Sequence, residues 1–236
     1  MNRKISAVVL CVLLVFALCG CTSEKSDSSS QETTLSDFPE FVEVPLIRQG
    51  TPYTCGIACL HSLLRWASYD QDVNDVNLME ACGTTEANGT SYKRILQYLQ
   101  DTKLFNVSWN ENMTADQLKT VINNGGVVMM PIQAWETRQT ADGKTEAFSA
   151  DDYKNWWSGG HWVIACGYNN DEVLFMDPAT AGCYTDMSWA DLEARWHDSP
   201  DYVSADQPFE KYEHCGFIVY RLNPEGYDSS IVEPLR

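Results

Sequence analysis

The sequence predicts an α+β domain in which N-terminal helices pack on an antiparallel sheet. Three observations carry that expectation. The run Cys55 to Ala67 has apolar residues at positions 57, 58, 60, 63, 64 and 67, which is helical spacing on a broad face. Helix start and stop signals then recur as far as Gly125-Gly126. From Val127 onward the period changes to short apolar runs divided by turn residues. Helices first and strands second is the α+β order.

In chain order, Phe41 to Ile47 alternates and reads as a strand leading into the loop RQGTPYT. The helix from Cys55 follows and is largely buried by its wide apolar face. Two further helices are expected at about 73–81 and 90–101. Asp72 or Asn74 caps the first, and Gly83 stops it. Thr114 opens a capped helix, TADQLKTVINN, ended by Gly125-Gly126. Val127 to Ile132 is continuously apolar, as in a strand covered on both faces. Residues 136–158 are polar apart from Trp156-Trp157 and read as a long loop. His161 to Tyr168 and Glu172 to Met176, joined by Asn169-Asn170-Asp171, read as a hairpin. A helix is expected at 188–196 and a last strand at Cys215 to Leu222.

The N-terminus is a separate signal. Met1 to Lys4 is short and basic, and Ile5 to Leu18 is uncharged and apolar, shorter than the roughly 20 residues of a spanning helix. Leu18-Cys19-Gly20-Cys21 resembles the bacterial lipobox, which implies acylation of Cys21 and removal of residues 1–20 as a signal peptide. Residues 21–37 are then a flexible polar tether, and residues 38–236 form one domain. The expected location is the cell membrane, lipid-anchored and facing outside the cytoplasm.

The formal charge is −17, from 16 basic and 33 acidic residues. Losing Arg3 and Lys4 leaves 14 basic residues against 33 acidic ones, a charge of −19. That field argues against nucleic acid and phosphate ligands as partners. Six cysteines remain in the domain (Cys55, Cys59, Cys82, Cys166, Cys183 and Cys215), with spacings unlike a disulfide framework; several buried free thiols and at most one or two bridges are expected. No Cys-x-x-Cys pair is present and the histidines are scattered, so no metal or cofactor is expected. Asp70 to Asn74 begins like a calcium loop but lacks the glycine and final glutamate, and reads as a helix cap.

Four positions have chemistry that fits together. Cys55 stands where a loop turns into a buried helix, and a helix N-terminus favours a thiolate. Gly56 and Ala58 keep that first turn small, leaving room for a substrate carbonyl. Gln49, six residues upstream, can bring a side-chain amide beside the Cys55 N–H as an oxyanion hole. His161 opens a strand after Gly159-Gly160, and Asp177 closes the next strand, where a carboxylate can fix an imidazole. Cys59, one turn beyond Cys55, reads as a core thiol, and His61 as structural; His197 and His214 read as surface or strand-edge residues. Trp156 and Trp157 either line a cleft or pack under the sheet, and Trp162 packs.

These residues carry a resemblance. Gln49 to Leu60 (Q-x5-C-G-x-A-C-L), Gly159 to Ile164 (G-G-H-W-V-I) and Asp177-Pro178 resemble the papain-like clan. Within it they resemble the double-glycine-leader, or bacteriocin-processing, peptidase family. The resemblance covers Val44 to Ala179 and implies a papain-like cysteine peptidase fold. It also implies Cys55 as nucleophile, His161 as base, Asp177 orienting that base and Gln49 supporting the oxyanion. The chain departs from the family in having Thr54 where leader-processing members have Asp, and in a separation of 106 residues between Cys55 and His161. It also has no segment resembling the exporter to which those peptidases are fused.

The expected function is a membrane-tethered thiol hydrolase cleaving peptide bonds in a peptide or protein substrate. The alternative is a catalytically inactive, peptidase-like lipoprotein that binds peptides or proteins. A related thiol enzyme acting on cell-wall peptides is a third reading, which the Asp at position 177 disfavours.

Overall fold

The computed structural model describes residues 33–68, 73–180, 182–199 and 210–223. The signal segment, Cys21, most of the tether, and Asp70 to Asp72 with the Asp72 cap lie outside the described residues. Thr34 to Asp37, the end of the expected tether, form a single capped 3-10 turn.

The elements run β1 (Glu40–Phe41), α1 (Cys55–Trp66), α2 (Asp75–Cys82), α3 (Tyr92–Thr102), β2 (Phe105–Asn110), α4 (Ala115–Asn123) and β3 (Val127–Gln133). Then follow β4 (Thr137–Gln139), β5 (Thr145–Ala147), α5 (Ala150–Tyr153), β6 (Gly160–Tyr168) and β7 (Glu172–Met176). The chain continues through β8 (Thr185–Ser188), α6 (Trp189–Arg195), β9 (His197–Asp198), β10 (Tyr212–Glu213) and β11 (Gly216–Arg221).

The main sheet is antiparallel throughout, in the order β2-β11-β3-β6-β7-β8, with β1 added beside β6. One face packs Leu60, Leu63 and Leu64 of α1, with residues of α2 and α3, against Met129, Ile164 and Phe217. The other packs Leu118 and Ile122 of α4 and Leu192 of α6 against Met130, Val163 and Phe175. The fold class is α+β, as the period change implies. Helices cover both faces, which is why every residue of β3 is buried. Each such aliphatic side chain contributes about 1.5–3 kcal/mol relative to an exposed one. Pro131 is tolerated in this central strand because the β11 pairing stops at Met129, leaving that stretch paired only to β6.

The helices start and stop where their caps place them. Asn74 accepts from the Asn77 N–H at 3.0 Å, and Gly83 ends α2 at φ 62°. Thr114 and Gln117 form a reciprocal capping box on α4. Ser188 caps α6.

Several expectations are corrected. The strand expected over Phe41–Ile47 shrinks to β1, because Pro45 has no N–H and the Tyr184 hydroxyl bonds both the N–H and the carbonyl of Val44. The expected loop 136–158 carries the β4–β5 hairpin and α5; both hairpin strands are exposed along their length, so no apolar period marks them. Strands β2, β8, β9 and β10 add to the expected set.

Candidate active site

Three parts of the fold meet at one end of the sheet. The start of α1 brings Cys55, the start of β6 brings His161, and the residue after β7 brings Asp177. All three side chains are nearly buried, with 8%, 6% and 4% exposure respectively. On β6, His161 lies opposite Ile132 of β3 and two residues before Val163, so it shares the sheet face away from α1. It reaches Cys55 around the end of the sheet rather than through it.

His161 Nε2 donates to Asp177 Oδ1 at 2.9 Å. That bond fixes the tautomer and leaves Nδ1 as the ring nitrogen free to serve the Cys55 thiol, whose charge and that of His161 stabilise one another. Asp177 is itself held: Oδ1 also accepts the Ala179 N–H at 2.9 Å, and Oδ2 accepts the Thr180 hydroxyl at 3.2 Å. Burial alone would raise the Asp177 carboxyl, but His161, the Ala179 N–H and Thr180 outweigh it and hold the carboxyl below its ordinary range. Burial would likewise lower His161, yet Asp177 and Cys55 together raise it to about 9.

Cys55 responds in the opposite sense. Burial pushes its thiol up, and the His161 hydrogen bond and charge, with the Trp162 and Gly56 backbone N–H groups, bring it below the ordinary thiol value. Burial raises the thiols of Cys59, Cys82, Cys166 and Cys215 instead, Cys82 to about 11. All six described cysteines are free, five of them buried and Cys183 exposed. Lowering Cys55 while raising His161 shifts the two toward a thiolate–imidazolium pair, which can attack an electrophilic carbon and deliver a proton from the same cleft.

Gln49 lies beside these groups through the backbone. Its N–H donates to the Pro178 carbonyl at 2.8 Å, tying the loop before α1 to the turn after Asp177. Its Nε2 donates to the Thr51 carbonyl at 2.9 Å, which uses one of two amide hydrogens. Its buried Oε1 has no partner among the described residues. Thr54 closes the turn before α1 through Thr51 and makes no side-chain cap bond to the helix.

Gly56 corrects an expectation. A β-carbon there would stand 3.0 Å from Thr90 Cβ and 3.1 Å from Trp162 Cδ1. The small first turn admits protein side chains, not a substrate carbonyl. Cys59 is a core thiol, donating to the Trp162 carbonyl at 3.4 Å. His61 is structural and meets Asp75 at 2.9 Å. His197 is buried, not on the surface, and bonds the Trp156 carbonyl at 2.8 Å; His214 stacks on Trp196. Trp162 packs on Phe217; Trp156 packs on Phe148, and Trp157 on His197. Among the described residues no group of three or more His, Cys, Asp or Glu side chains could hold a metal.

Two features of the site carry no local sequence signal. Trp135, 57% exposed, lies edge-on to His161 with ring centroids 4.5 Å apart. A buried polar clamp holds the approach to His161. Gln133 accepts the Gly159 N–H at 3.0 Å and donates to the His197 carbonyl at 3.0 Å and to Asp198 at 3.1 Å. A β-carbon on Gly160 would collide with the Asp198 carboxylate, so glycine is required there by close approach. Burial raises the Asp198 carboxyl to about 6, against the pull of the Ser199 N–H and Gln133.

A family model described as Peptidase C39 like matches residues 41–202. No curated protein matches the chain. Among solved structures, the chain is similar to a putative C39-like peptidase from Bacillus anthracis, with a TM-score of 0.50 and 14% identity over 78% of this chain and 97% of that one. A double glycine motif protease from an AMS/PCAT transporter, solved with the leader peptide, gives a TM-score of 0.49 and 13% identity over 77% and 94%. The peptidase domain of Streptococcus ComA gives 0.44 and 12% over 76% and 98%. At such identities the likeness is one of fold.

Proposed function

The chain belongs to the Peptidase C39-like family and is a cysteine-peptidase-like protein, and from that premise we propose that it is an active thiol hydrolase that cleaves peptide bonds, tethered to a membrane through Cys21. The observation that supports the activity is geometric: Cys55 at the start of α1, His161 and Asp177 lie nearly buried at one end of the sheet, with His161 Nε2 2.9 Å from Asp177 Oδ1.

In the proposed reaction the Cys55 thiolate adds to the carbonyl carbon of the scissile peptide. The oxygen gathers negative charge and is met by the Cys55 N–H and by the second Nε2 hydrogen of Gln49. His161 passes its Nδ1 proton to the leaving nitrogen, the C–N bond breaks, and a thioester on Cys55 remains. A water molecule, losing a proton to His161 Nδ1, attacks the thioester and releases the carboxylic acid with the thiol restored. Asp177 keeps the ring oriented in both steps. The start of α1, where Thr54 makes no side-chain cap bond, adds a dipole favourable to the thiolate.

Replacement of Cys55 by Ala is expected to abolish both peptide hydrolysis and labelling by a thiol-reactive peptide analogue. Labelling that persists unchanged in that variant would defeat the proposal. The tether rests on the basic and apolar segment before Cys21 and the polar stretch after it.

A further inference from the structure

Trp135 is placed against the tendencies of its own chemistry. It is a large aromatic residue, more than half exposed, at φ 53°, in the left-handed region that a side chain of this size seldom enters. The backbone on either side is pinned. The Ala134 N–H donates to the Gly159 carbonyl at 2.9 Å, and the Glu136 N–H donates to the Tyr153 hydroxyl at 2.8 Å. Strain of this kind persists only where its surroundings over-determine it, and it collects at working sites. Its result here is an indole held edge-on beside the imidazole of His161 and open to solvent.

Beyond that indole lies a cavity of about 640 Å³, on the same sheet face as His161 and Asp177. Ile132, Val163, Phe175, Trp135 and Met187 supply its apolar lining. The charged residues in its lining are Asp177, Asp186, Asp191 and Arg195, of which Asp191 and Arg195 are 3.8 Å apart. The depression therefore combines an apolar patch with a lining whose charges are acidic on balance, which disfavours an acidic occupant.

We propose that Trp135 and this cavity form the subsite for the residue on the C-terminal side of the scissile bond, and that it takes a large apolar side chain such as leucine, methionine or phenylalanine. The proposal rests on the peptidase reading, and the direction follows from its chemistry. His161 must hand its proton to the leaving nitrogen, so the departing segment begins against the imidazole. Trp135 is the side chain lying beside that ring, and the cavity is the next space along the same face. An acidic residue is disfavoured there by the −17 charge of the chain.

Short peptides that stand in for the departing segment test this without the full substrate. Leu-Ala-Ala amide, Gly-Ala-Ala amide and Glu-Ala-Ala amide are used, and protection of Cys55 from iodoacetamide is measured on the full chain. The leucine peptide is expected to protect at a roughly tenfold lower concentration than the other two, as partial burial of one leucine side chain gives. Trp135→Gly is expected to erase that difference and to raise the urea midpoint, since glycine relieves the left-handed backbone. Trp135→Phe keeps the ring and is expected to keep the preference. Equal or absent protection by the three peptides overturns the subsite, as does a leucine preference surviving in Trp135→Gly. A lowered urea midpoint in that variant overturns the claim of strain. Failure of the peptidase reading looks different: Cys55 would then alkylate no faster than the exposed Cys183 in mildly acid solution, whatever peptide is present.

Discussion

At the scale of single residues, the proposed reactivity of Cys55 depends on His161, and that of His161 on Asp177. The productive pair exists above the pH at which Cys55 ionises, which lies below the ordinary thiol value, and below about 9, where His161 loses its proton. Asp177→Asn removes the charge that stabilises the imidazolium, so the upper limit should move down in pH and the window should narrow from its alkaline side. Turnover is expected to fall roughly 10²–10⁴-fold. A pH profile of Cys55 alkylation in the variant checks this; an unmoved alkaline limb would contradict the role given to Asp177. Gln49, Cys55, His161 and Asp177 were legible because each stands beside a glycine, a proline or a helix start. Trp135 was not, because its importance comes from an imidazole 26 positions away and from a backbone angle that no neighbouring residue announces.

At the scale of elements, β3, β6 and β9 act together to aim the base. Gln133 sits at the end of β3, Gly160 at the start of β6 and Asp198 at the end of β9, and their contacts leave His161 little freedom. Gly160→Ala is expected to cost about 1–3 kcal/mol through overpacking against the carboxylate. Pairing it with Asp198→Ala should return part of that loss, and a double-mutant cycle on urea midpoints measures the coupling. Additive effects would show that the close approach does not constrain the strand. Gln133→Ala strands the Gly159 N–H and the His197 carbonyl in the interior, with an expected loss of about 1–3 kcal/mol and slower alkylation of Cys55. None of this was readable from spacing, since β9 has two residues and no period, and the partners of Asp198 in the clamp, Gln133 and Gly160, lie 65 and 38 positions away. The longer helices were readable because caps and apolar stripes are local. Strand β2 did carry an alternation, with Phe105, Val107 and Trp109 more buried than Asn106 and Ser108, but it follows α3 so closely that the helical series masks it.

At the scale of the whole molecule, the site lies where a helical layer carrying Cys55, the proposed nucleophile, meets a sheet carrying His161 and Asp177, the proposed base and its orienting carboxylate. A single backbone bond, Gln49 N–H to the Pro178 carbonyl, joins the two approaches. The proposed lipid anchor is independent of this arrangement. Cys21→Ala is therefore expected to move the protein from the detergent phase to the aqueous phase while Cys55 reacts at an unchanged rate. Retention in the detergent phase would contradict the anchor and leave the site as it is. The helix-then-sheet order was visible in the change of period at Val127, whereas the burial of the sheet between two helical layers was not. Helix α4 and the late helix α6 cover the face that α1 to α3 leave open, and that pairing depends on chain reversal, not on local pattern.

The central claim is that Cys55 is a poised nucleophile, and its most direct test is the rate of Cys55 alkylation by iodoacetamide as a function of pH. A poised Cys55 is expected to begin reacting at a lower pH than an ordinary thiol, whose pKa is about 8.5, with a second change as His161 titrates at about 9. A single rise centred on the ordinary thiol value, no steeper or earlier than that of Cys183, would contradict it and leave a peptidase fold that binds without turning over.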